Sequence, residues 1–436
     1  MDTEMMRELA KKMMMRGIDA ADPERLVDKN VNVDDHTIRI GKNDYTRNDY
    51  DEVLVFGVGK ASVSMASALK RLKPDGGLMI TKKGQMDEDH HCPVTVKEAE
   101  HPYPEEVNLR ASEELLDRLE GIKNALIIFL ISGGGSALFF YPVEGISVSE
   151  MNELNRLLVK SGANIHEMNA VRKHLSKVKG GRFAQLCEEK GDLVSLIISD
   201  VVGNDLSAIA SGPTSPDHST FHDAVGVLKD YGLWKDVPKP VKDHLEKGVR
   251  GEVPETPTEV HVDNNLIGDN FTTLSSAEIT AEKKGFNTMI LTSQNQGEAR
   301  EVAKPLAAIA KEIQDTNNPL EPPAAVIVGG ETTVSFENEE NDHGRGGPNR
   351  ELVLSAAVEI SGRKNIVVAS VDSDGIDGMD KAGAIADCNS VDRSTFKPKK
   401  LLKQHDSQRF FDELNDSIEF ESRTNVNDIT VLLVGE

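Results

Sequence analysis

The sequence predicts an α/β protein with largely parallel sheets, divided into two domains. Apolar segments of strand length recur along the chain, with helix-length segments between them. Those apolar runs are continuous rather than alternating, as in strands covered on both faces. The length of 436 residues also exceeds the ~100–200 of one ordinary domain.

Taken in order, residues 1–27 read as an amphipathic helix with charges throughout. Strands are expected at 53–58, 77–80, 125–131, 193–198, 287–291, 325–328, 366–371 and 429–434. Helices are expected at 61–72, 107–119, 149–161, 272–284 and 298–313. Residues 236–258 carry Pro238, Pro240, Pro254 and Pro257 among charges and read as a linker. The division is therefore expected at 1–240, a proline-rich linker over 241–258, and 259–436. Residues 315–323 read as a loop, and the acidic, glycine-rich 337–347 as another. Two α/β domains predict a ligand cleft between them.

Composition narrows the function. A net charge of −23 argues against a general nucleic-acid binder or a binder of anionic membranes. No apolar run reaches the ~18 residues of a membrane span or has the form of a secretory leader. Cys92, Cys187 and Cys388 are widely separated and form no metal-binding spacing, which points to a reducing cytoplasm. His90, His91 and His101 show no ligand spacing and read as structural or surface residues.

The strand at 125–131 runs into Ser132, Gly133, Gly134, Gly135 and Ser136. Glycines leave no Cβ in the way, so backbone N–H groups can converge on a small anion such as phosphate or carboxylate. The plainer alternative is a tight strand-to-helix turn. After the strand at 53–58 come Gly57, Gly59 and Lys60, a cation where a strand passes into a helix, a place that favours an anion. The segment begins like a dinucleotide-binding GxGxxG unit, but Ser62 stands at the third glycine. The next strand leads to Thr81, Lys82 and Lys83 instead of an acidic ribose acceptor.

Residues 166–182 depart from the acidic balance. A helix there would align Asn169, Arg172, Lys173, Ser176 and Lys177 on one face suited to phosphate oxygens; a solvated charged face is the alternative. The strand at 193–198 leads to Asp200, able to take a proton from an alcohol or to hold Mg2+, and then to Asn204. A helix cap or turn acid is the plainer reading. In the second half, Glu331, Thr332, Arg345, Asn349 and Arg350 are polar candidates, followed by Asp372, Asp374 and Asp377 after another strand. The latter are turn formers or a metal or nucleotide site, but not an EF-hand, since Ile376 occupies the fifth loop position. Glycine loops, cations and carboxylates after successive strands are what phosphoryl transfer needs, namely positioning and charge neutralisation.

The segments FGVGKAS, HPYPEEVNL, ISGGGSAL, IHEMNAVRKHLS, SDVVGNDLSAIASGPT, GGETTVSF and SVDSDGIDG occur in this order over about 56–387. As a set they resemble the glycerate 2-kinase family, whose C-terminal part is called the MOFRL domain. Some members carry hydroxypyruvate reductase names.

The resemblance implies a Rossmann-like, parallel-sheet N-terminal domain and a smaller α/β domain of MOFRL type, with the substrates between them. It implies an ATP- and divalent-metal-dependent kinase acting on the 2-hydroxyl of D-glycerate, with Mg2+ as the expected metal. Lys60 would be catalytic through its charge, and Asp200 a general base or metal ligand. Ser132, Gly133, Gly134, Gly135, Ser136, Asn169, Arg172, Lys173 and Asn204 would bind substrate or phosphate. Glu331, Thr332, Asn349, Asp374 and Asp377 would face the nucleotide. Relatives often read GGRNQE where this chain reads GGPNRE, so Arg345 or Arg350 must replace an arginine lost at Pro348, with Arg345 preferred for its glycine neighbours. The expected partners are ATP and D-glycerate, with neither nucleic acid nor membrane and with a homodimer as an option. An NAD(P)H-dependent hydroxypyruvate reductase and a non-catalytic phosphometabolite sensor are the alternative readings.

Overall fold

The structure, a computed structural model, describes residues 2–85, 92–335 and 344–436. His90, His91 and most of the 337–347 loop lie outside the described residues. The chain forms two compact units, Pro23–Ile267, and Met1–Asp22 together with Gly268–Glu436.

This division differs from the expected linker at 241–258. Much of that tract is the helix Lys239–Val249, which buries Val241, Leu245 and Gly248. Its first two prolines start the helix instead of separating domains. Pro238 is the N-cap and Pro240 lies in the first turn, where an N–H has no helical partner to lose.

In the Pro23–Ile267 unit, a small antiparallel sheet not expected from the sequence comprises β1 (Val31–Val33), β2 (Thr37–Ile40) and β3 (Asn43–Thr46). The main sheet contains β4 (Glu52–Val58), β5 (Gly76–Lys82), β6 (Thr95–Ala99), β7 (Ala125–Ile131), β8 (Gly191–Ile198) and β9 (Asp263–Gly268), in the order β6-β5-β4-β7-β8-β9. Strands β6 to β8 pair in parallel throughout. Every residue of β7 is buried, as its unbroken apolar run requires. Phe129 on β7 packs on Phe183 with ring centroids 4.3 Å apart, inside a core that includes Phe56 and Phe139.

The order of this sheet positions the site. From β4 the chain winds to β5 on one side, whereas β7 lies on the other. The loops after β4 and β7 therefore emerge side by side at the strand ends where the winding of the sheet reverses.

The other unit carries β10 (Asn287–Glu298), β11 (Ala324–Thr333), β12 (Ile366–Asp372), β13 (Gly383–Asp387), β14 (Ser417–Ile418) and β15 (Asp428–Val434), in the order β10-β11-β15-β12-β13-β14. Only β10 and β11 pair in parallel here and the rest of the sheet is antiparallel, so the expectation of largely parallel sheets holds for the first unit's sheet and not for this one. The last strand, β15, inserts between β11 and β12 against their direction, and β12 returns directly as β13. Helix Thr3–Ala20 belongs to this unit. Its Met6, Leu9, Met13 and Ile18 pack with Leu274, Ile327 and Val431, and Arg7 bonds Asp387 at 2.6 Å and also Asp416. Among the described residues no helix is long and apolar enough to cross a membrane.

Candidate active site

The loops after β4 and β7 are laced together. The Lys60 backbone N–H donates to the Gly133 carbonyl at 2.9 Å, Ser132 N–H donates to the Val58 carbonyl at 3.1 Å, and Ala61 N–H donates to Ser132 Oγ at 3.0 Å. Gly59 holds φ +123° with Ser132 directly against it, so a side chain there would be both strained and obstructed. The next loop, after β8, brings Asp200 to the same place. A Cβ on Gly133 would sit 2.5 Å from Asp200 Oδ2, and one on Gly134 would sit 3.4 Å from Lys60 Cγ and 3.0 Å from His101 Nε2. Lys60, Gly133, Gly134 and Asp200, separated by up to 140 positions in sequence, thus form one cluster.

Electrostatics follow from this packing. Loss of water pushes the Asp200 carboxyl above its ordinary range, while Lys60 and the Gly134 N–H pull it back. His101, read from the sequence as structural or surface, is part of the cluster. Burial, then Lys60 and Lys82, lower its imidazole to about 4, so it is neutral at physiological pH.

Alongside lies a cavity of about 290 Å3, lined by His101, Gly134, Ser136, Asn155, Arg172 and Lys179 together with apolar side chains that include Phe140 and Met151. Lys179 is only 5% exposed and donates to the Ser136 carbonyl at 2.5 Å and to Ser136 Oγ at 2.9 Å. Ser136 Oγ meets Ser211 Oγ at 2.7 Å, and Ser211 Oγ donates to Asn169 Oδ1 at 3.0 Å. Ala210 and Ser211 hold positive φ of 50° and 62°, a backbone strained for residues with side chains. The Asn169 amide nitrogen is buried with no protein partner. Lys179 lies within the basic segment 166–182, and its sequence signal is the Lys–Gly–Gly–Arg that closes that segment.

The basic face is shorter than expected. The helix stops at His174, because the chain then turns to bridge Pro142, with Lys177 N–H donating to the Tyr141 carbonyl at 2.8 Å. Ser176 and Lys177 therefore do not share a helical face with Arg172. Lys173 points elsewhere too, pairing with buried Asp217 at 3.3 Å. Arg172 does line the cavity, its Nε donating to Asn155 Oδ1 at 2.8 Å. Asn204 sits at positive φ in the loop after β8 and closes a turn onto the Val201 carbonyl at 3.0 Å.

In the other unit, two of the five expected nucleotide contacts, Asn349 and Asp377, are engaged within the fold. Asp377 accepts from the N–H groups of Asn349 and Arg350, both at 2.9 Å, at the start of helix Pro348–Ile360. Asn349 is buried, its amide donating to Asp428 Oδ1 at 2.6 Å while its Oδ1 accepts from Ser370 at 2.5 Å. Arg350 is 0% exposed and paired with Asp377 at 3.1 Å and Asp380 at 3.0 Å, so it cannot replace a substrate-facing arginine. Arg345 is exposed, with its N–H on Asp406 Oδ1 at 3.1 Å.

At the tips of β11, β12 and β15, Glu331, Thr332, Asp372, Asp374 and Asp428 remain near one another. Asp372 and Asp428 are register partners, and Thr332 N–H donates to Asp428 Oδ2 at 3.1 Å. Burial, with Asp374 and Asp428 adding repulsion, raises Asp372 to about 9; burial also raises Asp428 to about 7. Among the described residues no three His, Cys, Asp or Glu side chains form a metal-binding group.

Residues 9–246 match the family described as Domain of unknown function (DUF4147), and residues 324–428 match the MOFRL family. Glycerate 2-kinase of Pyrococcus horikoshii is 40% identical over 437 residues, covering 98% of this chain and 97% of its own. A protein of Agrobacterium vitis with a provisional hydroxypyruvate reductase name is 38% identical over 394 residues, covering 88% of this chain and 87% of its own. The crystal structure of glycerate kinase from Thermotoga maritima superposes with a TM-score of 0.86 at 35% identity, covering 99% of this chain and 100% of that one. One family match spans more than half the sequence and full-length relatives share the rest, so the chain belongs to the glycerate 2-kinase family, with a MOFRL C-terminal part.

Proposed function

We propose that the protein transfers the γ-phosphoryl group of ATP to the 2-hydroxyl of D-glycerate, giving 2-phospho-D-glycerate and ADP. The observation that carries this reading is the meeting of Lys60, the Gly133–Gly134 backbone and Asp200 at strand ends where the winding of the sheet reverses.

Each part has a task. Asp200 takes the proton of the 2-hydroxyl as that oxygen forms its bond to the γ-phosphorus and the bond to the β-phosphate oxygen breaks. A carboxylate raised by burial is a better proton acceptor than an exposed one. Lys60 neutralises charge on the transferring group, and the glycine loop keeps backbone close to it. Arg345, the exposed arginine of the two candidates, is assigned to phosphate charge.

A resident Mg2+ cage is not what the described residues form. Mg2+ commonly binds through one or two carboxylates plus substrate phosphates, so we assign it to the incoming nucleotide, with Asp200 as the carboxylate that would meet it. Three buried, unbridged cysteines agree with a reducing cytoplasm.

The test is purified protein with Mg-ATP and D-glycerate, followed by ADP release and product NMR. Phosphate on the 2-hydroxyl is expected; 3-phosphoglycerate would refute the position of transfer. The name of the Agrobacterium relative favours hydroxypyruvate reduction as a second reading. NAD(P)H oxidation by hydroxypyruvate, without ADP formation from glycerate, would establish it.

A further inference from the structure

We propose that the cavity bounded by Lys179, Arg172 and Ser136 is the carboxylate-binding subsite for the acceptor acid, with Lys179 the residue that selects an acid over its neutral analogue. This rests on the kinase reading above and adds the part of the substrate that this pocket recognises.

The argument begins with charge. In a chain of net charge −23, this cavity is lined by two permanent or potential cations and no acidic residue. Lys179 and Arg172 have no acidic partner among the described residues. Leaving a cation buried without a counter-charge is costly, so such a pair is best understood as awaiting an anion. Nearby Lys173 provides the contrast, since Asp217 neutralises it behind Gly180.

Hydrogen-bonding capacity points the same way. An ammonium has three donors, and Lys179 uses them only on Ser136. Arg172 commits Nε to Asn155, and among the described residues its two terminal nitrogens have no hydrogen-bond partner. Those groups suit the two oxygens of one carboxylate.

Size separates an acid from a nucleotide. Pockets for drug-sized ligands span roughly 300–1,000 Å3. At about 290 Å3, with Phe140, Met151 and Val159 as apolar walls, this one suits a smaller organic anion. It also abuts His101 and Gly134, which adjoin Lys60, so an acid held there presents its hydroxyl carbon towards the Lys60–Asp200 cluster.

A proton balance follows. Burial, with Arg172 adding repulsion, lowers Lys179 to about 7. The other titratable or charged groups lining the cavity are Tyr103, Arg172 and His101, the last held neutral near physiological pH. An arriving carboxylate favours the ammonium, so binding above neutral pH draws a proton from solution.

Calorimetry of the whole protein with D-glycerate at pH 8, in two buffers of different ionisation enthalpy, reads this directly. About one proton taken up per acid bound is expected. Lys179→Met should weaken binding by roughly tenfold or more, abolish the uptake, and erase the preference in kcat/KM for D-glycerate over D-glyceramide. Arg172→Gln should weaken acid binding while retaining uptake, which guards against a misfolded Lys179 variant. An unchanged acid-over-amide preference in a folded Lys179→Met protein would overturn the proposal. So would binding without proton uptake in the wild type. Should D-glycerate and other short 2-hydroxy acids bind with uptake yet never be phosphorylated, the kinase reading fails and the subsite stands.

Discussion

Asp200 and Gly133 are in contact, so close that a methyl group on the glycine would lie 2.5 Å from the carboxylate oxygen. Residue 133 is a glycine because it backs the carboxylate; its φ is not in the left-handed region, so its backbone would accept another residue. Gly133→Ala should therefore fold normally yet displace Asp200, lowering kcat by on the order of 10²-fold, the cost of a small misplacement of reacting groups. Steady-state kinetics beside a thermal melt would check it, and normal turnover would show that the contact is idle.

Removing the charges tests the chemistry itself. Lys60→Ala and Asp200→Asn should each lose ~10²–10³ in kcat with little change in melting temperature. Near-normal kcat/KM in both would remove the proposed cluster from the reaction.

The pH profile carries a sign. Asp200 works as a base only when ionised, and burial raises its pKa above that of an ordinary carboxyl group. The wild-type kcat/KM should thus rise with pH, with an acid limb above the ordinary carboxylate range. That limb should be missing from whatever residual activity Asp200→Asn retains. A limb persisting in the variant would assign it to another group.

Arg350 and Arg345 should separate structure from activity. Arg350→Met leaves Asp377 buried without its cation and should cost about 3–5 kcal/mol in urea unfolding. Arg345→Ala, on an exposed side chain, should keep that stability and lower kcat/KM with ATP as the varied substrate. Unchanged kinetics in Arg345→Ala would end its assignment to phosphate charge.

Asp372 offers a stability prediction. Its folded pKa of about 9 lies far above the unfolded value, so between pH 4 and 9 the folded state holds a proton that the unfolded chain has released. Wild-type stability at this position therefore falls as pH rises through that window. Asp372→Asn should melt like the wild type near pH 4 and increasingly above it towards pH 8. A constant difference across the range would contradict the shift.

Much of this was readable from residues. The continuous apolar runs became β4, β7, β8, β11, β12 and β15, because burial on both faces imposes that pattern locally. Glycine next to a strand end marked the loop that meets Asp200. Pairing between distant segments left no local trace, so the insertion of β15 between β11 and β12 was not legible. Pro238 and Pro240 misled because proline marks a helix start as readily as a linker. Lys173 and Lys179 look alike in the sequence; only the end of the helix at His174 sends one to Asp217 and the other to Ser136. His101 lacked ligand spacing because its role depends on packing against Gly134 rather than on neighbours along the chain.

The placement of helix Thr3–Ala20 bears on how the chain can be made. Its methionines cover an apolar surface formed by residues beyond 268, so this helix is synthesised long before the residues that shield its greasy side. A fragment beginning at 268 would expose Leu274, Ile327 and Val431 to water, and would be expected to aggregate unless the missing helix were supplied as a separate peptide.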